Sequence, residues 1–287
     1  MFGLGRWLRG RALARAAIDD SDWAQALARC RVAGHLDDVA QARLRECVTL
    51  FLDSKQFTAA GGLELTAGMR LAIALQACVP ILELGLESYA PWVEVIVYPD
   101  EFIVDRERVD EAGVVHRVRE PLSGESWAGG PVILSWADVE AANPEEGYNV
   151  VLHEFAHKLD MLDGDADGVP PLHAGMSRSD WHAAFQDAFD DLADRVEHIE
   201  RLECRAARSR RRTQATDASS PTLEEGWAAL PLDPYACEDA AEFFACASEA
   251  FFEAPARLQA AYPAVYAQLR GFYRQDPGAS TFQASGR

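Results

Sequence analysis

His153, Glu154 and His157 lie in the run Asn149-Val150-Val151-Leu152-His153-Glu154-Phe155-Ala156-His157-Lys158-Leu159-Asp160, and their spacing is that of a metal site. Residues four apart share one face of an α-helix, so the two imidazoles can converge on a single ion, for which zinc is the fitting cation. Glu154 follows about 100° round the helix from His153. It can reach a water beside the metal without being a ligand, which is where a metallopeptidase needs its general base. The competing reading is a satisfied pair of core histidines, because His-Glu-x-x-His also arises by chance, mostly in polar surface helices. Here the flanking residues are apolar, and a buried helix with three polar groups on one side needs a reason for them.

The helix that must position this triad has its own start and stop signals. Asn149 is the expected N-cap, Val150, Val151, Leu152, Phe155, Ala156 and Leu159 form the apolar body, and Asp163-Gly164 with Pro170-Pro171 ends it. Helical spacing also runs from Trp23 to Leu52 and from Thr66, a candidate cap, to Val79. The period then changes. Trp92 to Tyr98, Phe102 to Val104, Gly113 to Arg119 and Val132 to Trp136 read as strands, taken as antiparallel and joined by turns. The last strand precedes the active-site helix, so its sheet could offer an edge to an extended peptide. After the helix, Asp163 to His173 has calcium-like Asp/Gly spacing but lacks the later loop glutamate, which leaves a tight loop. Helical spacing resumes from Trp181 to Ile199.

From Glu203 to Trp227 an arginine run gives way to Thr, Ser and Ala, the composition of an exposed, mobile insertion. The expected organisation is a helical N-terminal part over 1–90, a catalytic part over 91–275 interrupted by that insertion at 203–227, and a disordered tail over 276–287.

Composition narrows the partners. The 287 residues are 49% hydrophobic with a formal charge of −19, enough apolar content for a sizeable core and the wrong sign for direct nucleic-acid binding. Six cysteines without Cys-x-x-Cys spacing read as reduced core thiols of a cytoplasmic protein. Four arginines and no acid among the first 18 residues speak against a secretory signal; a frayed or partner-packed first helix is expected rather than a transit peptide or a surface amphipathic helix. No stretch reaches the roughly 18 uncharged apolar residues of a membrane span.

Zinc held by two imidazoles needs a third protein ligand, with the fourth position left for water. Glu242 and Glu249 lie seven apart on one amphipathic stretch and share a face, so spacing does not choose between them. A resemblance does. Tyr148 to Asp160, Ala241-Glu242-Phe243-Phe244-Ala245, Pro131 to Trp136, Leu71 to Ala77 and Gly124-Glu125-Ser126 resemble segments of the Mlc titration factor A family, anti-repressor proteins. That family's catalytic part is similar to the gluzincin zinc metallopeptidases, including the protease domain of anthrax lethal factor. The implied fold is α+β, a gluzincin-like core of mixed or antiparallel sheet and active-site helices behind a helical N-terminal part.

The resemblance implies one zinc ion per chain on His153, His157 and Glu242, with Glu154 as base. It places Tyr235 facing the metal, where its hydroxyl could support a developing oxyanion; the plainer reading is a packed loop tyrosine. The implied activity is aminopeptidase-like hydrolysis of small peptides. The alternative is a non-catalytic protein that sequesters a transcriptional repressor of the Mlc type, and a third possibility is a structural zinc site. Cys246 stands where the lethal-factor pattern has a second carboxylate, leaving Asp160, Asp163 or Glu249 to orient the ligands.

Overall fold

The computed structural model describes residues 10, 13, 15–109, 115–122, 124–126, 129–141, 147–213 and 221–280. The expected first helix therefore lies largely outside the described residues. Beyond it come α1 (Asp20–Arg29) and α2 (Asp38–Ser54), a short strand β1 (Gln56–Ala59) and α3 (Ala67–Cys78). Thr66 caps α3 as expected, its hydroxyl accepting from the Met69 amide at 3.2 Å.

The strands are β2 (Glu94–Tyr98), β3 (Phe102–Val109), β4 (Val115–Leu122), β5 (Gly124–Ser126) and β6 (Val132–Ser135). They form a four-stranded sheet in the order β1-β2-β6-β5 and a separate hairpin β3-β4. The sheet is mixed, one of the two forms that the resemblance implies, and the reading of the strands around β2 and β6 as antiparallel is corrected. β2 pairs parallel with both β1 and β6, and only β3 with β4 and β5 with β6 run antiparallel. The physical reason lies in the connections: α3 carries the chain back between β1 and β2, and the β3-β4 excursion does so between β2 and β6, so strands near in sequence meet as crossovers. Along β2 the valines Val95 and Val97 are fully buried while their neighbours are partly exposed, the alternation of a strand with one face in the core.

After β6 follow α4 (Trp136–Glu140), α5 (Val150–Asp160), α6 (Arg178–Thr213), α7 (Pro221–Ala228), α8 (Ala240–Glu253), α9 (Pro255–Ala261) and α10 (Pro263–Tyr273). In the stretch read as an insertion, 203–213 continues α6, 221–228 forms α7, and 214–220 lie outside the described residues. Of the expected tail, Pro277–Ser280 forms a 3-10 turn and 281–287 lie outside the described residues. One continuous cluster of buried apolar side chains runs from Trp23 to Tyr273.

Helices α5 and α8 sit at the centre of that cluster, each fixed from behind by aromatic packing. Phe155 of α5 is fully buried, with ring centroids 5.1 Å from Tyr89, 5.5 Å from Trp92 and 5.8 Å from Phe51. Phe244 of α8 packs on Trp181 and Phe272 at 5.9 and 6.2 Å, and Phe251 on Tyr273 at 5.6 Å. Each such pair adds about 0.5–1.5 kcal/mol beyond the burial itself. The polar faces of α5 and α8 are thereby held toward each other.

Candidate metal centre

Asn149 caps α5 through its side-chain oxygen, 3.0 Å from the Leu152 amide. Its Nδ2 donates to Gln76 Oε1 and Glu253 Oε1, both at 2.7 Å. One cap side chain thus ties the start of α5 to α3 and to the end of α8. Asp239 caps α8, its Oδ1 accepting from the Ala241 and Glu242 amides at 2.9 Å, which sets the first turn that carries Glu242.

With both helices fixed, His153 Nε2 lies 3.1 Å from His157 Nε2 and 2.9 Å from Glu242 Oε2. Glu242 Oε2 is 3.3 Å from His157 Nε2. These three atoms face one point. A tetrahedral ion with bonds of about 2.0–2.1 Å holds its ligands roughly 3.3 Å apart, so the triangle fits a divalent metal with little adjustment. The donor set, two imidazole nitrogens and a carboxylate oxygen, suits a borderline cation.

Glu249 does not share that point. Its Oε1 lies 2.8 Å from Nδ1 of His153, on the other side of the ring, and its Oε2 accepts from the Asn149 amide. The imidazole that could be a ligand therefore has its far nitrogen held by a buried carboxylate, the arrangement that fixes tautomer and ring orientation at metal sites. Of the other candidates for this task, Asp160 is fully buried with Oδ2 accepting from the Gly168 amide at 2.8 Å, and Asp163 is exposed. The Cys246 thiol also contacts His153, and Cys246, His153 and Glu249 offer a second close set of donor atoms.

Electrostatics match this geometry. Burial works against protonating His153, but Cys246, Glu242 and Glu249 outweigh it and raise its pKa well above the usual imidazole range. Glu242 is pushed upward by burial, yet hydrogen bonds from His153 and His157 dominate and hold it far below an ordinary carboxylate.

Glu154 is buried beside the triad, and its Oε2 has no hydrogen-bond partner among the described residues. Burial raises its pKa, partly offset by His153 and His157, the direction that makes a carboxylate a better base. Gly124 of β5 packs directly on it: a Cβ there would stand 2.4 Å from Glu154 Oε1 and 2.7 Å from its Cγ. Only a residue without a side chain fits that contact, which no periodicity signals. Tyr235 lies in a 3-10 turn, Pro234–Cys237, with its ring 6.1 Å from that of His153 and its side chain exposed.

The family described as glucose-regulated metallo-peptidase M90 matches residues 4–274. The chain is 36% identical over 255 residues to a protein named Mlc titration factor A from Klebsiella pneumoniae subsp. pneumoniae, covering 89% of this chain and 86% of the relative. A protein of the same name from Cronobacter sakazakii is 35% identical over 262 residues, covering 91% and 89%. One from Salmonella paratyphi B is 36% identical over 262 residues, covering 90% and 88%.

Proposed function

The chain belongs to the glucose-regulated metallo-peptidase M90 family, and from that premise we propose that it is a zinc-dependent peptidase of aminopeptidase type, acting on small peptides in the cytoplasm. The observation that carries this reading is the convergence of His153 Nε2, His157 Nε2 and Glu242 Oε2 within 3.3 Å of one another, with buried Glu154 alongside.

His153, His157 and Glu242 would hold the zinc, which when bound supplies a Lewis acid for the scissile carbonyl and lowers the pKa of an attacking water toward about 7. Glu154 takes the attacking water's proton and later passes it to the leaving amine. Its burial, which raises its pKa, favours holding that proton between the two steps. Glu249 keeps His153 in the tautomer that presents Nε2. Tyr235 donates from the open side of the site toward the oxygen on which charge develops.

The test is hydrolysis of free-amino-terminus and N-blocked chromogenic peptides by the zinc-loaded protein. Turnover that vanishes on chelation and returns with zinc supports the reading; no turnover of any peptide by fully loaded protein overturns it.

A second reading has its own support, since the relatives are named Mlc titration factor A. The chain would then bind a transcriptional repressor of the Mlc type, its charge of −19 complementing a basic DNA-binding partner. Capture of such a repressor by both wild type and Glu154→Ala would make binding separable from hydrolysis.

A further inference from the structure

A cavity of about 250 Å³ opens beside the metal triad, with His153 and Glu154 in its wall. Its lining also includes small or apolar residues, among them Val150, Leu232 and Ala250. Three carboxylates line it: Glu154, Glu249 and Asp233. Two of them already have tasks. Glu249 is engaged by the His153 ring and the Asn149 amide, and Glu154 is the base, its buried Oε2 without a hydrogen-bond partner among the described residues.

Asp233 differs from both. It is exposed at the cavity wall, and its Oδ1 accepts from the Tyr235 amide at 2.8 Å, which fixes the side chain while leaving Oδ2 outside any described hydrogen bond. Among the described residues of this lining the lysine or arginine is Arg257, whose guanidinium donates to the Leu230 carbonyl. Asp233 is therefore the carboxylate of this lining left to meet a cationic group on the substrate.

We propose that Asp233 binds the free α-ammonium of the substrate and is the residue that makes this site select peptides by their amino terminus. The inference rests on the peptidase reading above and gives it a substrate class: short peptides with an unblocked first residue, whose side chain lies in the apolar part of the cavity. In such a peptide the ammonium is two bonds from the scissile carbonyl carbon, so its anchor must lie in the same cavity as His153 and Glu154, whose lining Asp233 shares.

The experiment compares wild type with Asp233→Asn, which keeps an oxygen for the Tyr235 amide and removes the charge. The zinc-loaded proteins are assayed at pH 7, where an α-amine is largely protonated, on leucine p-nitroanilide and N-acetyl-leucine p-nitroanilide. The expected result is a wild-type preference for the free amine that falls about five- to tenfold in Asp233→Asn, chiefly through KM, as suits a partly solvated ion pair. Equal loss on both substrates, an unchanged preference, or no preference in wild type overturns the proposal. Calorimetric binding of leucinamide and N-acetyl-leucinamide reads the same contact without turnover. If wild type hydrolyses nothing, the peptidase reading fails on its own, and tighter binding of leucinamide by wild type than by Asp233→Asn still decides for or against Asp233.

Discussion

Glu249 Oε1 stands 2.8 Å from Nδ1 of His153, so the helix that brings Glu242 to one nitrogen of this imidazole also holds the other. The two carboxylates are two turns apart on α8 and act on opposite sides of one ring. Glu249→Gln, which retains an acceptor, is expected to weaken zinc binding about tenfold, and Glu249→Leu about a hundredfold. Competition against a chelator of known affinity measures both; equal affinities in all three proteins would mean that His153 needs no such support.

Gly124→Ala places a methyl group where Glu154 now lies, 2.4 Å from its Oε1. Either β5 or the Glu154 side chain must move, and both displace the base from the cavity. We expect kcat to fall at least about tenfold while zinc binding is retained, as a misplacement near 1 Å in an active site does. Unchanged kcat with a normal thermal midpoint would show that Glu154 has room to relocate without penalty.

Phe155→Ala removes a fully buried ring from the cluster with Phe51, Tyr89 and Trp92. The expected loss is about 3–5 kcal/mol, read from denaturant unfolding of the zinc-free protein. A loss below about 1 kcal/mol would mean that the cluster collapses around the gap and does not fix α5 as tightly as its contacts indicate.

Asp160 sets a pH dependence whose sign can be worked out. Burial raises its carboxyl to about 6, above the unfolded value of about 3.9. Between these values the folded chain holds a proton that the unfolded chain has released, so this group's contribution to stability falls as pH rises from about 4 to 6, and the cost persists at pH 7. Asp160→Asn keeps an acceptor for the Gly168 amide and removes the charge. The variant should gain about 3 kcal/mol over wild type at pH 7 and little at pH 4, measured on zinc-free protein; a difference independent of pH would contradict the assignment.

What was legible in the sequence was what is local. His153, Glu154 and His157 share one helix, whose period alone sets their geometry, and Asn149 caps it as expected. Glu242 and Glu249 were visible as a pair on one face, but their separate tasks depend on how α8 docks on α5, a tertiary relation no spacing encodes. The parallel pairing of β2 with β1 and β6 was misread because strands adjacent in sequence usually form hairpins, whereas these are joined by crossovers. The contact of Gly124 with Glu154 and the place of Asp233 in the cavity wall are meetings between distant segments and left no trace in periodicity. None of the six cysteines, all among the described residues, forms a disulfide, and no helix among the described residues is long and apolar enough to cross a membrane.

The most direct test of the account is Glu154→Gln, assayed with its zinc content measured in the same sample. The substitution preserves size and leaves His153, His157 and Glu242 untouched, so one zinc per chain should remain. Hydrolysis of a free-amino-terminus peptide should fall about a hundredfold or more, as loss of a general base requires. Full zinc occupancy with wild-type turnover would contradict the assignment of Glu154 as the base and, with it, the mechanism proposed for this site.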